Sequence, residues 1–381
     1  MARKPLQRRL LEAAASMPVM IAATSLLIVL TFVCTLDQVN LGTFAAVDKY
    51  FRSFFLWADI GGYRIPVFFG GGVAGLLLLV ATSAAFAVRF RWDKQKAGIW
   101  LSHAGLILLI ASEFVTGFFA VESQLPIEEG ASMNYSEAYR IDEFVVSEVT
   151  GEFETVYAIE DKQLRSGKSF EHADWPFSVH LRRYFPNAVV GSRPPQIKMP
   201  TSVVDRGIGS KMVLRPLSEV SLDDARNMRA AFVDIKEKGQ RVGTWLISSQ
   251  LGAQQRFTVG GRQFSIAMRA RRYYHPFTVK LKDFKHDRYA GTDIPKNFSS
   301  LIRLIDPERG EDRDALIYMN HPLRYRGLTF FQASFGKDDT LSVLQVVRNP
   351  GWLIPYIACL LMGVGMLIQF LLSLKRFSPA R

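Results

Sequence analysis

Thiol chemistry is nearly missing from this 381-residue chain: its two cysteines, Cys34 and Cys359, both fall inside long apolar runs. No CxxC pair exists, which excludes thiol–disulfide exchange, a thiolate zinc site and covalent CxxCH cofactor attachment to this chain. Metal-binding histidine spacing is missing too. None of the six histidines stands in an H-x-H, H-x3-H or HExxH pattern. There is no Ser-His-Asp signature and no phosphate-binding glycine loop, so hydrolase and nucleotidase readings lack support.

Acidic residues are scarce in three short segments. Arg3, Lys4, Arg8 and Arg9 stand against Glu12. Arg89, Arg91, Lys94 and Lys96 stand against Asp93, and Lys375, Arg376 and Arg381 face no acid. These pieces carry net +9 of the overall +12. A basic excess concentrated beside apolar runs marks short cytoplasmic segments by the positive-inside rule, and argues against nucleic-acid binding.

What the chain does have is long apolar stretches. The sequence predicts an integral membrane α-helical protein with transmembrane helices at 18–36, 65–88, 99–121 and 351–374. About 20 residues suffice to cross roughly 30 Å of hydrocarbon. Residues 1–17, 89–98 and 375–381 are then cytoplasmic, and 37–64 and 122–349 lie outside. The first run exceeds a signal-peptide core and has no nearby A-x-A site, so it reads as an uncleaved span. Within 37–64, Phe44, Val47, Phe51, Phe54 and Phe55 recur at near-helical spacing. Two placements are open for that amphipathic helix: on the membrane surface with Trp57 and Tyr63 at headgroup depth, or packed on the outer domain. Gly70, Gly71, Gly72 and Gly75 permit close approach of another helix or of a flat ligand.

The 122–349 region reads as a large extracytoplasmic β-rich domain. Alternating or β-branched runs recur at 143–149, 177–184, 244–248, 256–268, 277–284, 298–305, 315–319, 327–335 and 340–348. Gly260-Gly261 marks a hairpin turn. One helix is expected at 219–238, with Ser221 as its N-cap. The domain also repeats: PFSVHLRRYF from Pro176 matches PFTVKLKDFK from Pro276, an offset of 100 residues. Two related β units follow from that match.

Two ionisable side chains lie in the third apolar run, His103 and Glu113. Burying either in lipid costs several kcal/mol without a partner or a cavity. A neutral His103 offers one acceptor nitrogen, which suits an axial haem ligand; the alternative is a hydrogen bond across a helix seam to Thr82 or Ser83. Glu113 lies about 15 Å along the helix and some 80° around it. It is a possible buried polar group without an assigned task. His172, His180, His275, His286 and His321 read as structural.

The strings VNLGTFAAVDKYFRSFF, HAGLILLIASEF, FTVKLKDFKHDRYAGTDIPKNFSSLIRL, YMNHPLRYRGLTFFQASF and NPGWLIPYIACLLMGVGM span nearly the whole chain. Together they resemble the ResB/CcsB family of System II cytochrome c biogenesis proteins. One departure is the lead-in IPVFFGGG, where the family pattern has Pro-Gly-Gly. The resemblance implies a subunit of a haem lyase complex in the bacterial cytoplasmic (inner) membrane, with no catalytic residue of its own. Its implied partners are a CcsA/ResC-type haem-handling membrane protein, apocytochrome c and a thioredoxin-like thiol reductase. By position in the motif, His103 would be an axial ligand to transported haem b. The six tryptophans, at 57, 92, 100, 175, 245 and 352, are scattered, so the family's tryptophan-rich haem-presenting segment belongs to the partner. A second reading makes the chain a membrane-anchored β scaffold that docks apocytochrome without ligating haem.

Overall fold

The computed structural model describes residues 5–91, 93–150, 153–192, 203–220, 226–292, 295–336 and 340–377. Its helices are α1 (Leu6–Ala14), α2 (Met17–Leu41), α3 (Thr43–Tyr50), α4 (Gly71–Arg89), α5 (Ala97–Phe119) and α6 (Ile354–Phe377). Four of these, α2, α4, α5 and α6, are long and apolar enough to cross a membrane. The chain is a multi-pass membrane protein carrying a large β-rich domain between α5 and α6.

The segment between the first two spans differs from expectation. α2 continues to Leu41, and Gly42 at φ 77° turns the chain sharply into α3, which is only eight residues long. The remainder forms a β-hairpin, Phe55–Ile60 against Tyr63–Phe69, closed by Gly61 and Gly62, both at positive φ. Trp57 and Tyr63 are therefore hairpin residues, and the second span starts at Gly71 instead of 65. Pro66 would be tolerated in a first helical turn, but the aromatic and β-branched residues around it favour strand and pair with Phe55–Ile60. α3 buries Ala46 and Tyr50 against Leu30 and Cys34 of α2 and Ala74 of α4. Lys49 of α3 also pairs with Asp37 of α2 at 2.7 Å. The glycines at the start of α4 accommodate this corner. A Cβ on Gly71 would fall 2.7 Å from the Phe51 Cα, and one on Gly75 would meet the Phe114 ring of α5 at 3.2 Å. The close neighbours are thus the 51–54 corner and one α5 side chain.

In the β domain, the strands Ser132–Thr150 and Arg262–Arg288 pair antiparallel along both of their halves and run through two cores. One core gathers Phe177, Val179, Leu181, Trp245, Phe257 and Phe264. The other gathers Phe277, Val279, Leu281, Ile302, Phe330 and Leu344. The 100-residue offset thereby acquires a physical meaning. Phe177, Val179 and Leu181 occupy in the first core the places that Phe277, Val279 and Leu281 occupy in the second. The ten-stranded sheet nearly closes on itself, because the Tyr318–His321 bridge joins the strand Glu311–Tyr318 to the start of Leu323–Tyr325. Gly260 and Gly261 form the expected hairpin turn, both at positive φ.

Of the helix expected at 219–238, the described residues 226–238 form none. Ala230–Glu237 is a central strand, paired with Ser178–Phe185 on one side and Gln240–Ser248 on the other. Ala231, Val233 and Ile235 alternate into the first core, so sheet pairing and β-branched packing override the helical propensity of the preceding residues. Ser221 lies outside the described residues.

Candidate functional site

Small residues bring α5 and α6 together. Gly98, Ser102 and Gly105 share one face of α5 at spacings of four and three. A Cβ on Gly365 would lie 2.6 Å from the Ser102 N and 2.7 Å from the Gly98 O, and one on Gly105 would lie 2.7 Å from the Ala358 O. The two backbones thus approach closely, as in small-xxx-small seams between membrane helices. Ser102 Oγ donates to Gly98 O at 3.0 Å and reaches Met362 O at 3.4 Å, so its hydroxyl is satisfied within the seam.

His103 follows Ser102 and is rotated about 100° from it, which places it on the flank of the seam. There Ile99, Ser102, His103, Met366, Gln369, Phe370 and Ser373 line an open cleft of about 370 Å³. The imidazole Nδ1 lies 2.8 Å from the Ile99 carbonyl. A carbonyl only accepts, so Nδ1 carries the proton and donates. In the neutral ring the Nε2 lone pair is then left free. A backbone carbonyl fixing the far ring nitrogen in this way is the usual support of a metal-ligating histidine. The expected partners Thr82 and Ser83 are not used: Thr82 gives its hydroxyl to the Leu78 carbonyl at 2.7 Å, and His103 is held by its own helix.

Haem b fits this cleft in donor type and surroundings. One imidazole faces an apolar wall of Ile99, Met366 and Phe370, and polar groups of Gln369 and Ser373 lie beyond it. Both His103 and Glu113 are exposed on the surface of α5 in the single chain, because the seam is taken by glycine and serine. Glu113 is not brought to His103 and makes no ion pair or hydrogen bond among the described residues.

The remaining histidines are structural. His275 bonds the Ser136 hydroxyl at 3.1 Å and stacks on Phe277, and burial pulls its pKa down. His180 meets Ser169 at 2.9 Å, and His321 stacks on Tyr318 at 4.6 Å. Among the described residues no cluster of three or more His, Cys, Asp or Glu side chains could hold a metal ion.

Two features escaped sequence reasoning. A cavity of about 570 Å³ opens between α3, the hairpin and the β domain. Arg140 covers the Phe44 ring at 4.7 Å there, while Arg226 pairs with buried Asp142 at 2.6 Å and Arg229 with Asp161 at 2.7 Å. It is an ion-paired joint between membrane and β parts. Its residues are scattered over 185 positions, so no local signal could reveal it.

The second feature is the role of the YRG motif. Arg326 and Gly327 both take positive φ and turn the hairpin Leu323–Tyr325 into Leu328–Gly336. The Tyr325 hydroxyl donates to fully buried Asp306 at 2.6 Å, and Arg326 Nη2 donates to the same carboxylate at 2.9 Å. Burial pushes the Asp306 carboxyl up. The bonds from Tyr325, the Arg309 N–H and Arg326 more than offset this and hold it below the usual range. Burial, with the hydrogen bonds to Asp306 and Glu311, pushes the Tyr325 hydroxyl up to about 12. A raised folded-state pKa contributes stability that is complete below the ordinary value of 10 and lost as pH climbs toward 12. Thermal unfolding followed by circular dichroism should therefore show a falling melting temperature between pH 10 and 12. Tyr325→Phe should flatten that fall; an unchanged slope would reject the assignment.

Residues 239–343 match the model of the ResB-like family. Over 102 residues the chain is 33% identical to Protein NrfI of Wolinella succinogenes, a stretch that is 27% of this chain and 11% of NrfI. The chain thus spans about one tenth of the length of that curated relative. The family match covers most of the second β core, the Asp306 cluster and the YRG turn, while Leu125, Ile127, Leu344 and Val346 of that core, and His103, lie outside it. Joined to four helices long and apolar enough to cross a membrane and a β domain inserted before the last of them, these partial matches support a ResB-like assignment and identify residues 239–343 as the ResB-like region of the chain.

Proposed function

We propose that this chain is a haem-carrying subunit of a System II cytochrome c synthase. With a CcsA/ResC-type partner it passes haem b across the bacterial cytoplasmic membrane and supports covalent attachment to the CxxCH of apocytochrome c outside. The observation that carries this reading is the fixed ring of His103: Nδ1 is tied to Ile99 O at 2.8 Å, and Nε2 is left to the α5–α6 cleft. Membrane histidines with no water around them are expensive to keep without such a task.

The chain's own residues act by binding and orientation. His103 holds the iron from one side, Ile99 O keeps its imidazole in the ligating tautomer, and Met366 and Phe370 exclude water from that face. Haem supplies the open iron coordination site and the vinyl groups to which cysteine thiols add. The second axial ligand comes from the partner, whose surface would cover the exposed cleft. The basic excess at 1–17, 89–98 and 375–381 places both termini in the cytoplasm and the β domain outside, where apocytochrome and a thioredoxin-like thiol reductase would meet it.

Co-expression with such a partner, purification of the complex and extraction with acid acetone test the proposal. The expected result is a Soret band from haem that is extractable, hence not covalently bound. A complex that yields holocytochrome while carrying no extractable haem would overturn it in favour of a docking scaffold.

A further inference from the structure

Gln369 is the polar group of the cleft with unmet hydrogen-bonding need. Its Oε1 is buried and has no hydrogen-bond partner, an arrangement that is destabilising until a donor reaches it. It stands on the same face of α6 as Met366, Phe370 and Ser373, at helical spacings of three and four. Its level is set by the seam: a Cβ on Gly98 would lie 2.5 Å from the Gln369 N. Gly98 precedes His103 by five residues, so the Gln369 backbone sits about 7–8 Å along the helix axis from that of His103, toward the C-terminal end of α6, and the imidazole, folded back onto Ile99 O, leans into that interval. Apolar Ile99 and Met366 fill the interval, and Ser373 lies one further turn out.

The cleft therefore offers, in order, an imidazole nitrogen, an apolar wall and a primary amide lacking a donor. A flat apolar ligand with iron at its centre and carboxyl groups on one edge matches that order. In a low-dielectric slot a carboxyl group stays protonated, and as an acid it can both donate and accept. Resting on the reading of His103 as a haem ligand, we infer that Gln369 receives a propionic acid of haem. The acid O–H donates to Oε1 and its carbonyl accepts from Nε2–H, so the haem lies with its carboxyl edge toward the C-terminal end of α6. Gln369 is a positioning residue, since it sets the rotation of the macrocycle about the His103–iron axis.

The test compares haem b with its dimethyl ester, which cannot donate, on the full chain in lipid nanodiscs, with binding followed at the Soret band. The wild type should bind the free acid about three- to tenfold more tightly than the ester, the worth of one buried hydrogen bond. Gln369→Leu should bring the two affinities together by weakening the acid alone, while Gly363→Ala, on the same helix but outside the cleft lining, should keep the preference. Equal wild-type affinities with a His103-dependent Soret band would overturn the role of Gln369 and leave the haem reading standing. So would a preference that survives in Gln369→Leu. If neither porphyrin gives a Soret band in the wild type, the haem reading itself fails, and this inference with it. The wild-type comparison needs no variant, so a poorly folding Gln369→Leu leaves the inference open to refutation.

Discussion

His103→Ala should cut the haem recovered with the purified complex by more than about tenfold, the lower end of what loss of a mere supporting contact costs a metal site. The substitution removes the Nε2 that the Ile99-bound tautomer leaves free beside the cleft, and leaves a void the size of an imidazole ring. The Ile99 carbonyl stays in place, because it belongs to the backbone of the same helix turn. Free imidazole at millimolar concentration can enter that void, donate one N–H to Ile99 O and present its other nitrogen as the histidine does. Soret absorbance should therefore return on adding imidazole, with holocytochrome yield recovering in parallel. Glu113→Gln is the comparison, since the same helix bears it away from the cleft; its spectrum should match wild type. An undiminished Soret band in His103→Ala would sink the ligand assignment.

The second large effect belongs to the seam. In Gly365→Leu the new side chain meets Ser102 N and Gly98 O, which are helix backbone and cannot swing aside. Overpacking costs about 1–3 kcal/mol where side chains can shift. Here α5 and α6 must part, so about 3 kcal/mol or more is expected. Gly363 provides an internal standard two residues away, because a Cβ there meets nothing within 4 Å. Gly363→Ala should be neutral, or stabilising by about 0.5–1 kcal/mol through lower backbone entropy in the unfolded chain. Thermal unfolding in detergent and limited proteolysis of the two variants measure the contrast. Equal behaviour would show that α5 and α6 do not meet at this seam. Gly365→Leu should also lower haem content, because the α6 wall of the cleft moves with the seam.

Much of the architecture was legible because its causes are local or one-dimensional. A membrane span needs only a long apolar run, so α5 and α6 could be placed within about three residues. The Gly260-Gly261 turn was legible for a similar reason: two adjacent glycines are the residues that accept two positive φ values. Where a local pattern served two outcomes, the reading failed. Residues 230–237 carry a sequence that helix and strand both tolerate, and the decision came from pairing partners about 50 residues upstream and ten downstream. The 55–69 hairpin was hidden because Phe55 completes the helical spacing of 44–55 and the apolar residues from Ile65 read as the start of the second span.

The sequence by itself determined that this is a four-span membrane protein with one inserted β domain of two related units. It also marked His103 as the side chain most in need of a reason, because composition, charge asymmetry and internal repetition are properties of the chain in order. The tertiary structure alone decided how that histidine is held. Which ring nitrogen is tied down, that Gly98, Ser102, Gly105 and Gly365 fill the seam and push His103 to its flank, and that Gln369 comes to share its cleft all depend on α5 meeting α6 across some 260 residues of intervening chain. Packing of that kind is set by the close approach of two backbones, and no stretch of either helix read alone contains it.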